Sequence, residues 1–339
     1  MAHLAERLTA QLLAGPPARD PVAVAERILA VQGQDPMGFR LAVRARTKGL
    51  TAADVDRALS EDRSLVVTWV NRGTLHLLRS DDYPLVQAVT TPPLRTSSER
   101  RLVQEGLPPR DAERGVAAIV SALAEEGPLA SDSLRERVLR AGVRAEGQAL
   151  YHLLFKASLD GLVVRGRMAG RRQAYVLVKD WLGEQEPVDR AGALPEFTRR
   201  YLAGHGPATE RDLARWAAIP LRDVRAGLSA IRSELRELGD GLVDLRKRPP
   251  AAEPPQARLL GSFEPSLLGW TSREDIVGDA PNLVTVGGMF YPFAMVRGRA
   301  AARWTRADGH LELDPFRRIA KADRAALERD AEDVERFLG

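Results

Sequence analysis

Apolar residues follow two rhythms along this chain. From Val22 to Val31, the positions Val24, Ile28 and Val31 recur at intervals of four and three, the spacing of one helix face. Asp20-Pro21 precedes them, an acid that can accept the first backbone amides followed by a residue tolerated in the first helical turn. Asp35-Pro36 repeats that signal, and Met37, Leu41 and Arg44 would share a face of the next helix. From Leu65 to Leu78, "LVVTWVNRGTLHLL", β-branched residues crowd together and Asn71-Arg72-Gly73 interrupts them, predicting two short strands or a strand and a turn. Ser80, followed by Asp81 and Asp82, reads as a helix cap with favourable charge in the first turn.

A more diagnostic succession follows. The spacing predicts a helix over Asp111–Glu126, stopped by Gly127-Pro128, then one capped by Ser131 and closed at Gly142, then one from about Gly147 to Ser158. Asp160-Gly161 turns the chain into "LVVRGRMAGRRQAYVLV", whose alternation around a glycine-bearing turn predicts a hairpin. Three helices and a hairpin with a basic tip make a winged helix-turn-helix. The pattern returns downstream, with a helix ending near Gly206, one from Thr209 to Ile219 with Thr209 and Asp212 as an approximate capping box, and one from Leu221 to Leu235. Gly239-Asp240-Gly241 supplies the hairpin turn. "KRPPAAEPPQ" reads as a linker or long exposed loop, "LVTVGG", "FAMVRGRAAARW" and "HLEL" as short strands, and the segment from Pro315 onward as an amphipathic helix.

The expected fold class is therefore α+β, mainly α, with tandem winged-helix (helix-turn-helix) units and a small C-terminal β-rich unit. The boundaries fall at 1–105 (an N-terminal winged-helix-like unit), 106–183, 190–248 and 257–339. At 339 residues, 44% hydrophobic and 28% charged, the chain is long enough for such a division and has the profile of a soluble globular protein. Cysteine is absent, which excludes disulfides and thiolate chemistry. The histidines (His3, His76, His152, His205, His310) lie far apart without ligand spacing, so no metal site is expected. There is no apolar span or signal-type N-terminus, so a cytoplasmic protein is expected, and abundant Ala, Arg and Leu suggest a GC-rich bacterial genome. Net charge is only +4, yet Leu162–Lys179 holds five basic side chains and no acid, coinciding with the hairpin and its tip. Winged helices of this kind bind DNA or mediate protein contacts.

The segments "VQGQD", "NRGTLHLL", "YHLLFKASLDGLVVRGRMAGRRQAYVLVKDWL", "HGPATERDLARWAAI", "LLGSFEPSLLGWTSRE" and "GGMFYPFAMVRGRAAARWTR", taken in order, resemble the tandem winged-helix family of DNA glycosylases that remove alkylated purines. The resemblance spans roughly residues 5 to 320. One branch of that family protects antibiotic producers and unhooks interstrand crosslinks. The family's active site centres on Gln-x-Gln, or Gln-x-Asp in another branch, and Gln32-Gly33-Gln34 matches the first form, with Gly33 where alanine is common. The resemblance implies a monofunctional, metal- and cofactor-independent enzyme with Gln32 and Gln34 as catalytic residues. Its partner would be double-stranded DNA carrying alkylated purines, bound by a monomer without a membrane.

The chemistry gives an independent reason for neutral side chains. Alkylation at N7 of guanine or N3 of adenine makes the base cationic and a ready leaving group. The remaining work is to hold a water near C1′ beside an oxocarbenium-like sugar, and a glutamine carbonyl can accept that water's hydrogen bond. Without this context the two glutamines would read as a solvated turn. Asp35 is either the cap of the helix at Pro36 or a stabiliser of cationic character. Arg72, Thr74 and His76 are supporting candidates, with Thr74 and His76 on one strand face; His76 is either a nucleotide or phosphate contact or a structural residue. Arg171 and Arg172 at the wing tip, extended by Arg165 and Arg167, are candidates for phosphates rather than base edges. His205 either fixes the turn before Gly206-Pro207 or joins them at a phosphate. The tryptophans Trp69, Trp181, Trp216, Trp270 and Trp304 read as core. The alternatives are a non-catalytic winged-helix DNA-binding protein or transcriptional regulator and, third, a protein-interaction scaffold.

Overall fold

The computed structural model describes residues 3–169, 172–278, 280, 283–307 and 310–339. It divides into two compact units, one made of the chain up to Asp56 together with Leu194 to the end, the other of Arg57–Ala193. The architecture is mainly helical, with helix-turn-helix units and a C-terminal sheet. No helix among the described residues is long and apolar enough to cross a membrane.

In the first unit, Asp20 caps the helix Pro21–Ile28 by accepting the Ala23 amide at 2.7 Å. That helix is shorter than the apolar spacing predicts. Leu29 adopts φ +68°, in the region L-residues avoid, and the chain continues as the two-residue strand Val31–Gln32. Leu29 is fully buried, so burial of its side chain offsets the strain of that backbone turn. The second expected start signal also forms: Asp35 accepts the Met37 amide at 3.0 Å and begins the helix Pro36–Arg44. Leu41 and Arg44 are buried as their spacing suggests, whereas Met37 is 47% exposed, because the first turn of this helix is open at that position.

The winged helix after Leu194 follows its sequence signals except that the third helix, expected to reach Leu235, ends at Ala230, and Leu235 opens a strand. Helix Arg190–His205 leads to Glu210–Ala217 and Leu221–Ala230, and a three-stranded sheet has the order Ala208–Thr209, Leu242–Leu245, Leu235–Glu237. The capping box at Thr209 is complete. Its hydroxyl accepts the Asp212 amide at 3.2 Å while Asp212 accepts the Thr209 amide at 2.8 Å. Asp212 also accepts the amide and hydroxyl of Thr271, so one buried carboxylate ties the helix start to a distant loop. Beyond the linker, an antiparallel sheet runs in the order His310–Pro315, Arg299–Ala307, Phe293–Val296, Ala257–Leu260, and the helix Lys321–Leu338 packs on it through Leu327 and Val334 against Leu259 and Trp304. "LVTVGG" is not a strand of this sheet; among the described residues it contributes only the bridge Val284–Phe290. Only Leu283 at its start is fully buried; Val286 and the two glycines that follow are exposed, so the segment lacks the alternating apolar face of a strand.

The second unit contains the hairpin Leu65–Val70/Thr74–Arg79, turned by Asn71 and Gly73 at positive φ. It also contains the helices Pro109–Glu126, Ser131–Arg140 and Ala149–Leu159, and the wing Val163–Ala169/Arg172–Leu177. Ser131 is the first residue of its helix rather than a side-chain cap, a role that falls to Ala130 without a capping bond. The two hairpins join edge to edge where Val67 pairs with Arg165, giving the order Thr74–Arg79, Leu65–Val70, Val163–Ala169, Arg172–Leu177 within the unit. The expected helix-and-wing succession is therefore present, and the earlier hairpin extends the wing's sheet. Leu134, Val138, Ala149, Leu153 and Trp69 share the core beneath it.

The capping box sets a measurable stability term. Thr209→Ala is expected to lower unfolding stability by about 1 kcal/mol, and Asp212→Ala by more, since it also leaves the Thr271 donors unpaired. Denaturant titration of both variants checks the order; equal losses would show that the Thr271 bonds contribute nothing.

Candidate active site

The amide pair begins where Leu29 ends its helix. Val31 and Gly33 are buried, which fixes the backbone on either side of Gln32. Gln32 is itself only 5% exposed, and its Nε2 donates to Oε1 of Gln34 at 2.9 Å. Gln34 is exposed. A buried amide thus holds an exposed one, and the accepting oxygen of Gln34 keeps a second lone pair with which to bind a water.

Asp35 follows directly and uses both oxygens. One accepts the Met37 amide; the other accepts a short hydrogen bond from the Ser262 hydroxyl. The backbones touch here. A Cβ added at Gly38 would lie 2.4 Å from the Ser262 carbonyl oxygen, and one at Gly261 would lie 3.1 Å from the Gly38 Cα. The fold therefore brings "VQGQD" and "GSFEP" together, 227 positions apart in sequence.

The same loop is anchored from beneath. Glu264 forms an ion pair with Arg46 in which both side chains are fully buried, and its carboxylate also accepts the Ser266 amide. Arg46 further donates to the carbonyls of Ala42 and Gln11 and to the Gln11 side chain. Two residues earlier, at the end of the helix, Arg44 donates to Asp330, Asp333 and the Leu259 carbonyl. Ser262, Glu264 and Arg46 are the residues that sequence reading missed. The signal available was the polar pair Ser262 and Glu264 within an otherwise apolar stretch, but nothing local says what they face.

The other candidates are on different elements, most of them in the second unit. Thr74 and His76 stand on one face of strand Thr74–Arg79, with His76 opposite Thr68. His76 is buried, and its Nδ1 lies 2.9 Å from the Thr74 carbonyl oxygen. Since a carbonyl only accepts, Nδ1 carries the proton and Nε2 the lone pair. Burial, reinforced by the charge of Arg72 and opposed by the Thr74 carbonyl, pushes His76 down to about 3, so the imidazole is neutral. Arg72 itself lies in the hairpin turn, partly buried. On the wing, Arg165 is partly buried, its guanidinium 4.1 Å from the centre of the Tyr175 ring and 5.0 Å from that of Trp69. Arg167 is exposed, and a register shift between Arg165 and Met168 breaks the simple alternation between the two. Arg172 pairs through its backbone with Ala169, and Arg171 and the Arg172 side chain lie outside the described residues.

His205 is fully buried, stacked 4.7 Å from Tyr201 and 4.9 Å from Trp216, with Nδ1 3.1 Å from the Tyr201 carbonyl oxygen. It precedes a cis Gly206-Pro207 bond and has no open surface to offer a phosphate in this arrangement. All five tryptophans are buried, as their apolar surroundings imply. Among the described residues no group of three or more His, Asp or Glu side chains is placed to hold a metal ion.

The neutral His76 has a consequence for stability. Its folded value lies below the ordinary 6.5, so the unfolded chain binds the extra proton first. Stability is expected to decline as pH falls from about 6.5 towards 3, and His76→Gln should flatten that part of the profile. Thermal melts across this range test it; parallel profiles would remove His76 from the account.

Comparison with known proteins bears on the whole chain. The family model described as DNA glycosylase AlkZ-like matches residues 25–337. An interstrand DNA cross-link repair glycosylase of Streptomyces sahachiroi is 28% identical, over 93% of this chain and 90% of that protein. The solved Streptomyces sahachiroi DNA glycosylase AlkZ has the same fold, with a TM-score of 0.81 at 24% identity, covering 98% of this chain and 95% of that one. The match runs from the helix before Gln32 into the terminal helix, and on that ground this chain belongs to the AlkZ-like family of DNA glycosylases.

Proposed function

We propose that the protein is a monofunctional DNA glycosylase that hydrolyses the N-glycosidic bond of N7- or N3-alkylated purines in duplex DNA, with bulky adducts and interstrand crosslinks within its substrate class. The observation that carries the reading is the Gln32–Gln34 pair, a buried amide presenting an exposed amide oxygen. The cross-link repair activity in the name of the Streptomyces relative supports the wider substrate class.

In this reading Gln34 accepts a hydrogen bond from the attacking water, and Gln32 fixes the carbonyl that does so. The water oxygen bonds to C1′ as the C1′–N9 bond breaks. The electron pair passes into the purine ring, where it cancels the alkylation charge, and the base leaves neutral. An amide oxygen is too weakly basic to keep the water's proton, which goes to solvent. Such a catalyst suffices because the lesion is already activated. A lysine in the same place would repel the cationic base and favour a covalent lyase route instead. Asp35, whose carboxylate is held by the Ser262 hydroxyl and the Met37 amide, supplies negative charge beside the amide pair. The grip on DNA falls to the basic wing, Arg165, Arg167, Arg171 and Arg172, with Arg72, Thr74 and His76 as supporting residues and His205 as a buried positioning residue.

Purified protein with duplex DNA containing N7-methylguanine is expected to release the free base without added metal or cofactor and to leave an intact abasic strand. Gln34→Ala and Gln32→Ala should slow release by roughly 10²-fold while changing DNA affinity little. Ser262→Ala should slow release less, with recovery in Ser262→Thr. Absence of release from any alkylated or crosslinked duplex, together with tight binding to one undamaged sequence, would make the protein a regulator instead.

A further inference from the structure

The second unit contains a charged group whose surroundings its fold does not explain. Arg165 stands on the wing strand where that strand meets Leu65–Val70. Its guanidinium is set against the faces of Tyr175 and Trp69, and its Nε is cut off from solvent without a hydrogen-bond partner. No carboxylate pairs with it among the described residues. Burial pushes this guanidinium below the ordinary arginine range, against the stabilising influence of Tyr175 and Tyr151. A cation kept partly desolvated with no anion of its own is costly, and aromatic faces return only part of that cost.

The neighbouring surface is aromatic and open. Tyr151, in the first turn of the helix Ala149–Leu159, is 44% exposed, an unusual position for so large a ring. It meets Trp69 edge to face at 5.5 Å and lies parallel to Phe155 at 6.4 Å. Phe155 in turn touches Trp69 and closes on the hairpin turn at Gly73, where an added Cβ would come within 3.3 Å of its ring. The exposed ring is therefore backed by packed aromatics on two elements and is not free to swing away. A rigid aromatic face beside an anion-seeking guanidinium has the chemistry of one nucleotide, a planar base and a phosphate.

We propose that Tyr151 and Arg165 form a nucleotide-binding site of the second unit, taking one unpaired nucleotide of a DNA strand, its base on the Tyr151 ring and its phosphate on the Arg165 guanidinium. The base must be unpaired, because a base inside a matched duplex has both faces already covered by its neighbours. Stacking of this kind tolerates any base, since every base offers a π-face. The role is distinct from that of the glutamine pair, which acts on the sugar. It rests on the DNA-binding part of the function proposed above and does not depend on catalysis.

The test uses the full-length protein and three labelled DNAs: a matched duplex, the same duplex with a single-nucleotide bulge, and a single strand. Tyr151→Leu should weaken binding of the bulged duplex and the single strand roughly tenfold or more, leave the matched duplex within about twofold, and be rescued by Tyr151→Phe. Arg165→Gln should lower the slope of log affinity against log salt by about one unit on all three. Near-ultraviolet circular dichroism checks that its aromatic cluster stays packed; if it does not, the Tyr151 series alone decides. Equal loss on matched and bulged duplex, or no loss with Tyr151→Leu, overturns the site. Equal quenching of tryptophan emission by deoxyadenosine monophosphate and by the single strand would assign the pocket to a free nucleotide and overturn the strand reading. Failure of base release by the wild-type protein, with the Tyr151 pattern intact, would instead sink only the glycosylase reading.

Discussion

The Arg46–Glu264 pair is buried without exposure on either side, and the arrangement of the amide site depends on it. Two charges taken out of water carry a desolvation cost of several kcal/mol each, returned only when their remaining donors and acceptors are satisfied. Here they are: Arg46 reaches two backbone carbonyls and Gln11, and Glu264 takes the Ser266 amide as well. Neither residue is near an amide of the Gln32–Gln34 pair in sequence. What the pair does is clamp the end of the helix Pro36–Arg44 to the loop after Leu260. That in turn sets Ser262 against Asp35 at the helix start.

Glycines make the clamp close. Gly38 and Gly261 let two backbones approach to a distance no side chain allows, and the hydroxyl of Ser262 then reaches the carboxylate without strain in the helix. Both oxygens of Asp35 are thereby engaged: one caps the start of the helix Pro36–Arg44 and the other accepts from a loop far along the chain. The two readings of this residue, cap or charge stabiliser, do not exclude one another.

The amide pair of the first unit is neutral by its chemistry, and in the second unit burial holds His76 neutral. The wing of the second unit carries the basic side chains Arg165 and Arg167. The Arg165 guanidinium lies against the rings of Tyr175 and Trp69, whereas Arg167 is exposed.

Local pattern carried a large share of this protein. The caps at Asp20, Asp35 and Thr209, the hairpin at Asn71-Gly73 and the helix-helix-helix-wing succession depend on neighbours within a few positions, and such interactions leave periodic traces. The glutamines were singled out through their resemblance to a known motif, and the fold joins them by a hydrogen bond. The early end of the helix at Leu29, the failure of "LVTVGG" to join a sheet, the burial of His205 and the partner of Asp35 were not legible. Each is decided by what packs against the segment, and periodicity within ten residues contains no information about a surface two hundred residues away. The sequence alone determined most of the local elements and their caps. Tertiary packing decided which side chains are buried, paired or open, because burial and pairing depend on long-range contacts.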